Sequence, residues 1–342
     1  MVLYKIDRIL ANIQDRIPYA LLNPTNIKLE ENKVIKNPEY NPQLQYKPLA
    51  KDLRVLQAQL QKLHIPKTPL GRLFHEKRVE LYQQIDMILD VGLKAFTSHS
   101  IAVYGAPSRT LVHRAQQYLH TKEQNNHEYP LGKITIVKKF LDACVKHKFT
   151  CDILEKEMIT KASINPQKKK LYFNSDGIFT ESDLRRLTTH EIGTHLRRAE
   201  HARQQKLQLF SIGFQGYLAT EEGLAVYNEE QNGLLSAKVL KHYAARVIAV
   251  DLALHNSFHV VYRTLQDYFP SHEAFNLAIR AKRGLSDTVM VGGYTKDYLY
   301  LQGWYDVKHY LRQGGNLKDL YIGKIGVQHV PSLSLIAQEL KN

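Results

Sequence analysis

Two histidines and a glutamate stand together in Leu187-Thr-Thr-His190-Glu191-Ile-Gly193-Thr-His195-Leu-Arg. Neutral imidazoles ligate a divalent metal, and a neighbouring carboxylate can take a proton from its bound water, so these residue types point to a zinc hydrolase. The familiar spacing for such a pair is i, i+4; here the second histidine is at i+5. Five residues of an ideal α-helix rotate through about 500°, which leaves the two side chains roughly 140° apart and unable to share one ion. A π-bulge, one extra residue in a turn, restores a common face, and Gly193 inside the interval would ease that distortion. Without the bulge, the imidazoles read as surface or satisfied core residues of an amphipathic helix.

A catalytic zinc ion takes three protein ligands and leaves one position for water. Thr220-Glu221-Glu222-Gly223-Leu224-Ala225 follows downstream, and the apolar positions Leu224, Ala225 and Tyr227 mark a second helix. A glutamate from that helix would complete a ligand set of the gluzincin type. The alternative for Glu221 and Glu222 is solvated residues near a helix N-terminus, where the macrodipole favours them.

The succession His190-Glu-Ile-Gly-Thr-His195, Glu222-Gly-Leu-Ala225 and Gly292-Gly-Tyr-Thr-Lys-Asp-Tyr-Leu-Tyr-Leu-Gln-Gly303 resembles the microtubule-associated tyrosine carboxypeptidase family. Bacterial members of that family carry a "QEGLA" motif. The likeness spans at least residues 170–303, and Ala102-Val-Tyr-Gly-Ala-Pro-Ser108 adds to it. It implies a zincin-like metallopeptidase with an H-E-x-x-x-H helix, so that the i+5 spacing is a family feature. By position, it implies His190, His195 and Glu222 as ligands of one Zn2+ per chain and Glu191 as the general base. Glu221 stands where the bacterial motif has Gln and is the weaker ligand candidate. The chain departs from the family at Ala199-Glu-His-Ala202, where an Asn-Gly follows the zinc helix.

The implied activity is release of a C-terminal aromatic, tyrosine-like residue from a peptide or protein tail. A free carboxylate needs a cation to recognise it, and Lys296 and Arg283 are the candidates, because both lie in the stretch that resembles the family. Arg246, Arg263 and Arg280 are alternatives. If Thr295 caps a helix, Lys296 and Tyr300 share a face at i, i+4. Tyr300 would then donate to the oxyanion of the tetrahedral intermediate or line an aromatic pocket. The plainer reading is a solvated lysine and a packing tyrosine. Two other functions compete: a zinc endopeptidase that needs no terminal carboxylate, and a basic binding module in which the histidines are incidental.

The elements that must position these residues are mostly helices. Leu3, Ile6, Ile9, Leu10, Ile13 and Ile17 predict an amphipathic helix over 1–17. The Pro- and Asn-rich stretch 23–49 reads as an extended arm or loop. Helical periodicity returns at 51–64, near 73–95 and around 134–147, with Ser108 as a cap. Cys151–Ile159 and Lys170–Phe173 read as strands separated by the turn Asn165-Pro-Gln-Lys-Lys. Thr180, with Asp183 three residues on, caps a helix that runs through 190–206. The chain is then mostly helical to about 284, glycine-rich at Gly292-Gly293, and helical again after Thr295. The expected fold is α+β, predominantly α-helical with a small sheet, divided into an N-terminal arm (1–70) and a catalytic domain (71–342).

Composition narrows the partners. The 342 residues carry 47 Lys and Arg against 33 Asp and Glu, a formal charge of +14. That excess attracts polyanions, an acidic protein tail among them, and the surface for it would be Lys168-Lys-Lys170, Arg185-Arg186, Arg197-Arg198 and Lys282-Arg283. No nucleic-acid-binding motif is present, so no specific nucleic acid is expected. Only Cys144 and Cys151 occur, too few for a disulfide scaffold, which favours a reducing compartment. No secretory h-region and no run of about 18 apolar residues is found, so a cytoplasmic protein off the membrane is expected.

Overall fold

The computed structural model describes residues 2–49, 52–122, 128–158 and 160–340. In chain order its helices are α1 (Val2–Arg16), α2 (Ile27–Lys36), α3 (Arg54–Gln61), α4 (Pro69–Leu89), α5 (Phe96–Tyr104), α6 (Arg109–Leu119) and α7 (Lys133–Lys146). The strands β1 (Asp152–Lys156), β2 (Ala162–Asn165) and β3 (Lys170–Asn174) come next. After them run α8 (Glu181–Leu187), a π-helix (Thr188–Leu196), α9 (Arg197–Arg203), α10 (Leu209–Ile212) and α11 (Leu218–Gln231). The chain continues through α12 (Ala237–His255), α13 (Phe258–Gln266), α14 (Ser271–Lys282), α15 (Leu299–Arg312) and α16 (Leu333–Glu339). Met1, Lys51 and Ile159, which the expected elements include, lie outside the described residues. The α-rich architecture with a small sheet agrees with the sequence. No helix among the described residues is long and apolar enough to cross a membrane.

The chain falls into two compact units: Met1–Thr121, Lys241–Gln302 and Ser332–Asn342 form unit 1, and Lys122–Leu240 with Gly303–Pro331 form unit 2. In unit 1 the apolar face of α1 (Ile6, Leu10, Ile13) is buried, as its period requires. The stretch 23–49 is not extended throughout. Pro24 and Pro38 flank α2 rather than interrupt it, and Val34 and Glu30 turn inward. The buried Glu30 accepts hydrogen bonds from Tyr40 Oη and the Gln43 N–H, both at 2.9 Å, so the chain beyond α2 folds back on it. Prolines outside a helix set its ends and cost it nothing inside.

Unit 2 is built around Ile136, Phe140, Leu171, Phe173, Ile192 and Leu196, so that α7, the sheet and the π-helix share one core. The strand order is β1-β3-β2, with β1 parallel and β2 antiparallel to β3. Strand β2 is an addition to the sequence reading: Ala-Ser-Ile-Asn has one large apolar residue and no alternation to betray it. The turn 165–169 is its hairpin to β3. Cys144 at the end of α7 and Cys151 before β1 are paired as a disulfide, which closes the short loop between them.

Candidate metal centre

Capping fixes where the histidine-bearing segment begins. Thr180 Oγ1 accepts the Asp183 N–H at 3.3 Å and Asp183 Oδ2 accepts the Thr180 N–H at 3.2 Å, a reciprocal box at the start of α8. The chain runs on without a break into the π-helix and α9. Hydrogen bonds from i to i+5 widen the turn, so residues five apart come onto one face. The His190 and His195 rings accordingly lie 4.8 Å apart, nearly perpendicular. The π geometry extends over nine residues and owes nothing to room at Gly193. A methyl group added there would meet only ordinary contacts, at 3.8 Å from the Thr188 carbonyl oxygen and 3.9 Å from the His147 ring.

Glu222 comes from α11, whose backbone approaches α15 through two glycines. A Cβ on Gly223 would sit 2.0 Å from the Gly303 carbonyl carbon, and one on Gly303 would sit 1.7 Å from the Ala219 oxygen. Glu222 Oε2 lies 3.7 Å from both His190 Nε2 and His195 Nε2. One ligand atom from each residue falls within 4.8 Å of the other two. Tetrahedral zinc with bonds of about 2.1 Å would hold its ligand atoms roughly 3.4 Å apart, within small side-chain movements of this arrangement.

The other ring nitrogens are committed elsewhere. His190 Nδ1 is 2.8 Å from Glu229 Oε1, and His195 Nδ1 is 2.8 Å from Glu221 Oε1. A carboxylate only accepts, so each Nδ1 carries a hydrogen and each Nε2 is the nitrogen left to face a metal. Arg186 Nη1 donates to Glu229 at 3.2 Å. Arg198, fully buried, donates to Glu221 Oε2 and to the Gly323 and Ile325 carbonyls. Four buried carboxylates (Glu191, Glu221, Glu222, Glu229) crowd this centre, and Arg186 and Arg198 pair with Glu229 and Glu221. Burial would lower the His190 pKa, but Glu222, Glu229 and Glu191 outweigh it and hold it up at about 10. Burial would likewise raise Glu221, and Arg198 with His195 brings it down to about 2. A metal ion at His190 Nε2 would displace that ring's extra proton, and the donor set of two imidazoles and a carboxylate fits such an ion. Glu191 Oε2 accepts the Ile164 N–H from β2 at 3.0 Å, which ties the carboxylate to the sheet edge.

A family model described as "Microtubule-associated tyrosine carboxypeptidase" matches residues 34–340. The chain belongs to the microtubule-associated tyrosine carboxypeptidase family. It is 24% identical over 295 residues to microtubule-associated tyrosine carboxypeptidase 1 of Mus musculus, covering 82% of this chain and 54% of the mouse protein. The protein of the same name from Rattus norvegicus is 34% identical over 125 residues, 33% of this chain and 25% of its own length. The chain thus spans about half the length of the mouse relative.

Arg283, Lys296 and Tyr300 belong to unit 1, where Arg283 joins a second polar cluster at Asp297. Arg280 Nε donates to Asp297 Oδ2 at 2.5 Å, and Arg283 Nη2 is 3.7 Å from Asp297 Oδ1 with its guanidinium 4.5 Å over the Tyr294 ring. Burial alone would raise the Asp297 pKa; Arg280, Arg283 and Arg246 bring it down to about 2. Tyr300 stacks on Tyr243 at 5.5 Å, with the Arg246 guanidinium 4.4 Å above its ring. Arg263 is exposed, outside this cluster. Thr295 does not cap a helix: its N–H and Oγ1 bond to Ser100, and Lys296 opens a 3-10 turn instead. Gly292 and Gly293 have φ of 106° and 145°, a backbone that only glycine adopts without strain. Two of the basic pairs read as surface are only partly so: Arg198 and Lys282 are completely buried, whereas Arg197 is exposed and Arg283 half-buried.

Proposed function

We propose that this chain is a zinc-dependent metallocarboxypeptidase that removes an aromatic, tyrosine-like residue from the C-terminus of an acidic peptide or protein tail. The observation that carries the reading is the convergence of His190, His195 and Glu222 with both Nδ1 atoms held by carboxylates. The family name supports the carboxypeptidase part. A cytoplasmic location belongs to the same reading and is supported by the relatives' microtubule-associated name.

His190, His195 and Glu222 would hold the zinc ion in a gluzincin-like set, and when bound the ion would polarise the scissile carbonyl and acidify a water. Glu191 takes the proton of the attacking water on its carboxylate and delivers it to the departing amine. The Ile164 N–H keeps that carboxylate in one orientation while it does so. Glu229 and Glu221 hold the two imidazoles in the tautomer that presents Nε2. Arg283 and Lys296 supply positive charge for the terminal carboxylate of the substrate, and Tyr300 acts as oxyanion donor or aromatic wall.

The test pairs a metal assay with a substrate pair. Glu191→Gln should keep about one zinc per chain by elemental analysis yet lose roughly 100- to 10,000-fold in kcat. Loss of the metal in that variant would remove Glu191 from its role as base. A tyrosine-ending peptide should be cleaved when its terminus is free and resist when it is amidated; equal cleavage of both would make the chain an endopeptidase.

A further inference from the structure

Unit 2 carries a cleft of about 540 Å³ that the metal centre does not use. One wall is the loop Lys146-His147-Lys148-Phe149 and the other is α9 with Arg197, Glu200 and His201. Among the described residues, no carboxylate pairs with Lys146, Lys148 or Arg197. Glu200, the cleft's own acid, is taken by Arg203. Three uncompensated cations therefore share one concavity. The Arg197 guanidinium lies 4.6 Å from the centre of the Tyr321 ring, and His201 Nδ1 is 2.9 Å from the Tyr321 carbonyl. His147 and Phe149 stack with their planes 9° apart. The Cys144–Cys151 pair ties the two ends of the loop.

Lys148 is the informative residue. It follows the C-terminus of α7 with φ of 58°, its N–H on the Val145 carbonyl and the Phe149 N–H on that of Cys144. This is the left-handed position where helices usually place glycine. A lysine there costs the backbone what a glycine would not, and it places a charge at the cleft wall. The local positive field is also felt by His147, whose pKa burial lowers first and Lys146 and Arg197 lower further.

We propose that this cleft binds a run of side-chain carboxylates, an acidic peptide segment lying across Lys146, Lys148 and Arg197. A single phosphate group fits less well. Its usual cradle is a set of open backbone N–H groups at a helix N-terminus, whereas α9 continues directly from the π-helix and has none free. The cations are instead spread along two walls, as spaced carboxylates require. The proposal rests on the acidic-tail part of the hydrolase reading, but its readout is binding and not turnover, so the two fail separately.

The experiment is fluorescence anisotropy of a labelled oligo-glutamate peptide, C-terminally amidated, with the full chain. Lys146→Glu with Lys148→Glu should weaken binding about tenfold or more, whereas Lys5→Glu with Arg8→Glu, the same change in net charge on unit 1, should leave it within about twofold. Lys148→Gly should raise the melting temperature while it weakens the peptide, a combination that a structural lysine would not give. Inorganic phosphate should compete no better than chloride of equal ionic strength. Equal losses in both double variants, unchanged binding in Lys146→Glu with Lys148→Glu, or displacement by phosphate beyond the chloride control would each overturn the proposal.

Discussion

The two units each hold a cluster of charged side chains, and the clusters differ in make-up. In unit 2, four carboxylates meet two guanidiniums around a pair of imidazoles. In unit 1, the guanidiniums of Arg246, Arg280 and Arg283 act on the carboxylate of Asp297. The first cluster is rich in carboxylates and imidazoles, the groups that ligate metals, and the second is rich in guanidiniums, the groups that pair with carboxylates. The difference shows that a single residue type is a poor guide. Both clusters mix acids with bases, and only the make-up of each one as a whole tells what it suits.

The largest effect should come from tipping unit 1 further. Asp297→Asn leaves Arg280 and Arg283 without their carboxylate and should cost about 3–5 kcal/mol in chemical denaturation; a change within error would mean the guanidiniums are already balanced. The mirror experiment, Glu229→Gln, takes one negative charge from the unit 2 cluster and frees the His190 ring. Zinc affinity measured by competition with a chelator should fall roughly 10- to 100-fold. Unaltered affinity would argue that the carboxylate does not orient that imidazole. The smallest effect is acid sensitivity. Asp297 has its pKa depressed from the ordinary 3.8 to about 2, so its contribution is fully present above about pH 4 and is lost as pH falls through 2. That loss amounts to roughly 2 kcal/mol, to be read from unfolding curves across that window, and Asp297→Asn should abolish it.

The unit 2 centre was partly legible in the sequence, and the reason is spacing. His190, Glu191 and His195 lie close in the chain, and the i+5 interval already demanded a widened turn. Glu229 was readable in principle, since it stands seven residues after Glu222 and so on the same helical face, but an isolated glutamate at a helix end is an ordinary residue. Arg198 was not readable: an arginine three residues after His195 looks solvated until Gly323 and Ile325 are seen to enclose it. Ile164 was hidden for a similar reason, because a four-residue strand with one apolar side chain has no period. The unit 1 cluster resisted reading because its members come from separate helices, and which cation meets Asp297 depends on packing that no local pattern records. Helix α2 was missed through over-reading proline, which marks the borders of a helix as readily as it forbids one.

The widened turn of the histidine segment also says how tolerant the centre is to a change in chain length. Remove Gly193 and the text becomes His-Glu-Ile-Thr-His, the i, i+4 spacing that an unmodified α-helix presents on one side. The surplus residue is swallowed within Thr188–Leu196, so helices α8 and α9 on either flank need not rotate to accommodate its loss. Two chains that differ by one residue here can thus offer the same pair of nitrogens, and a gap at this point in a comparison of sequences need not signal a different chemistry.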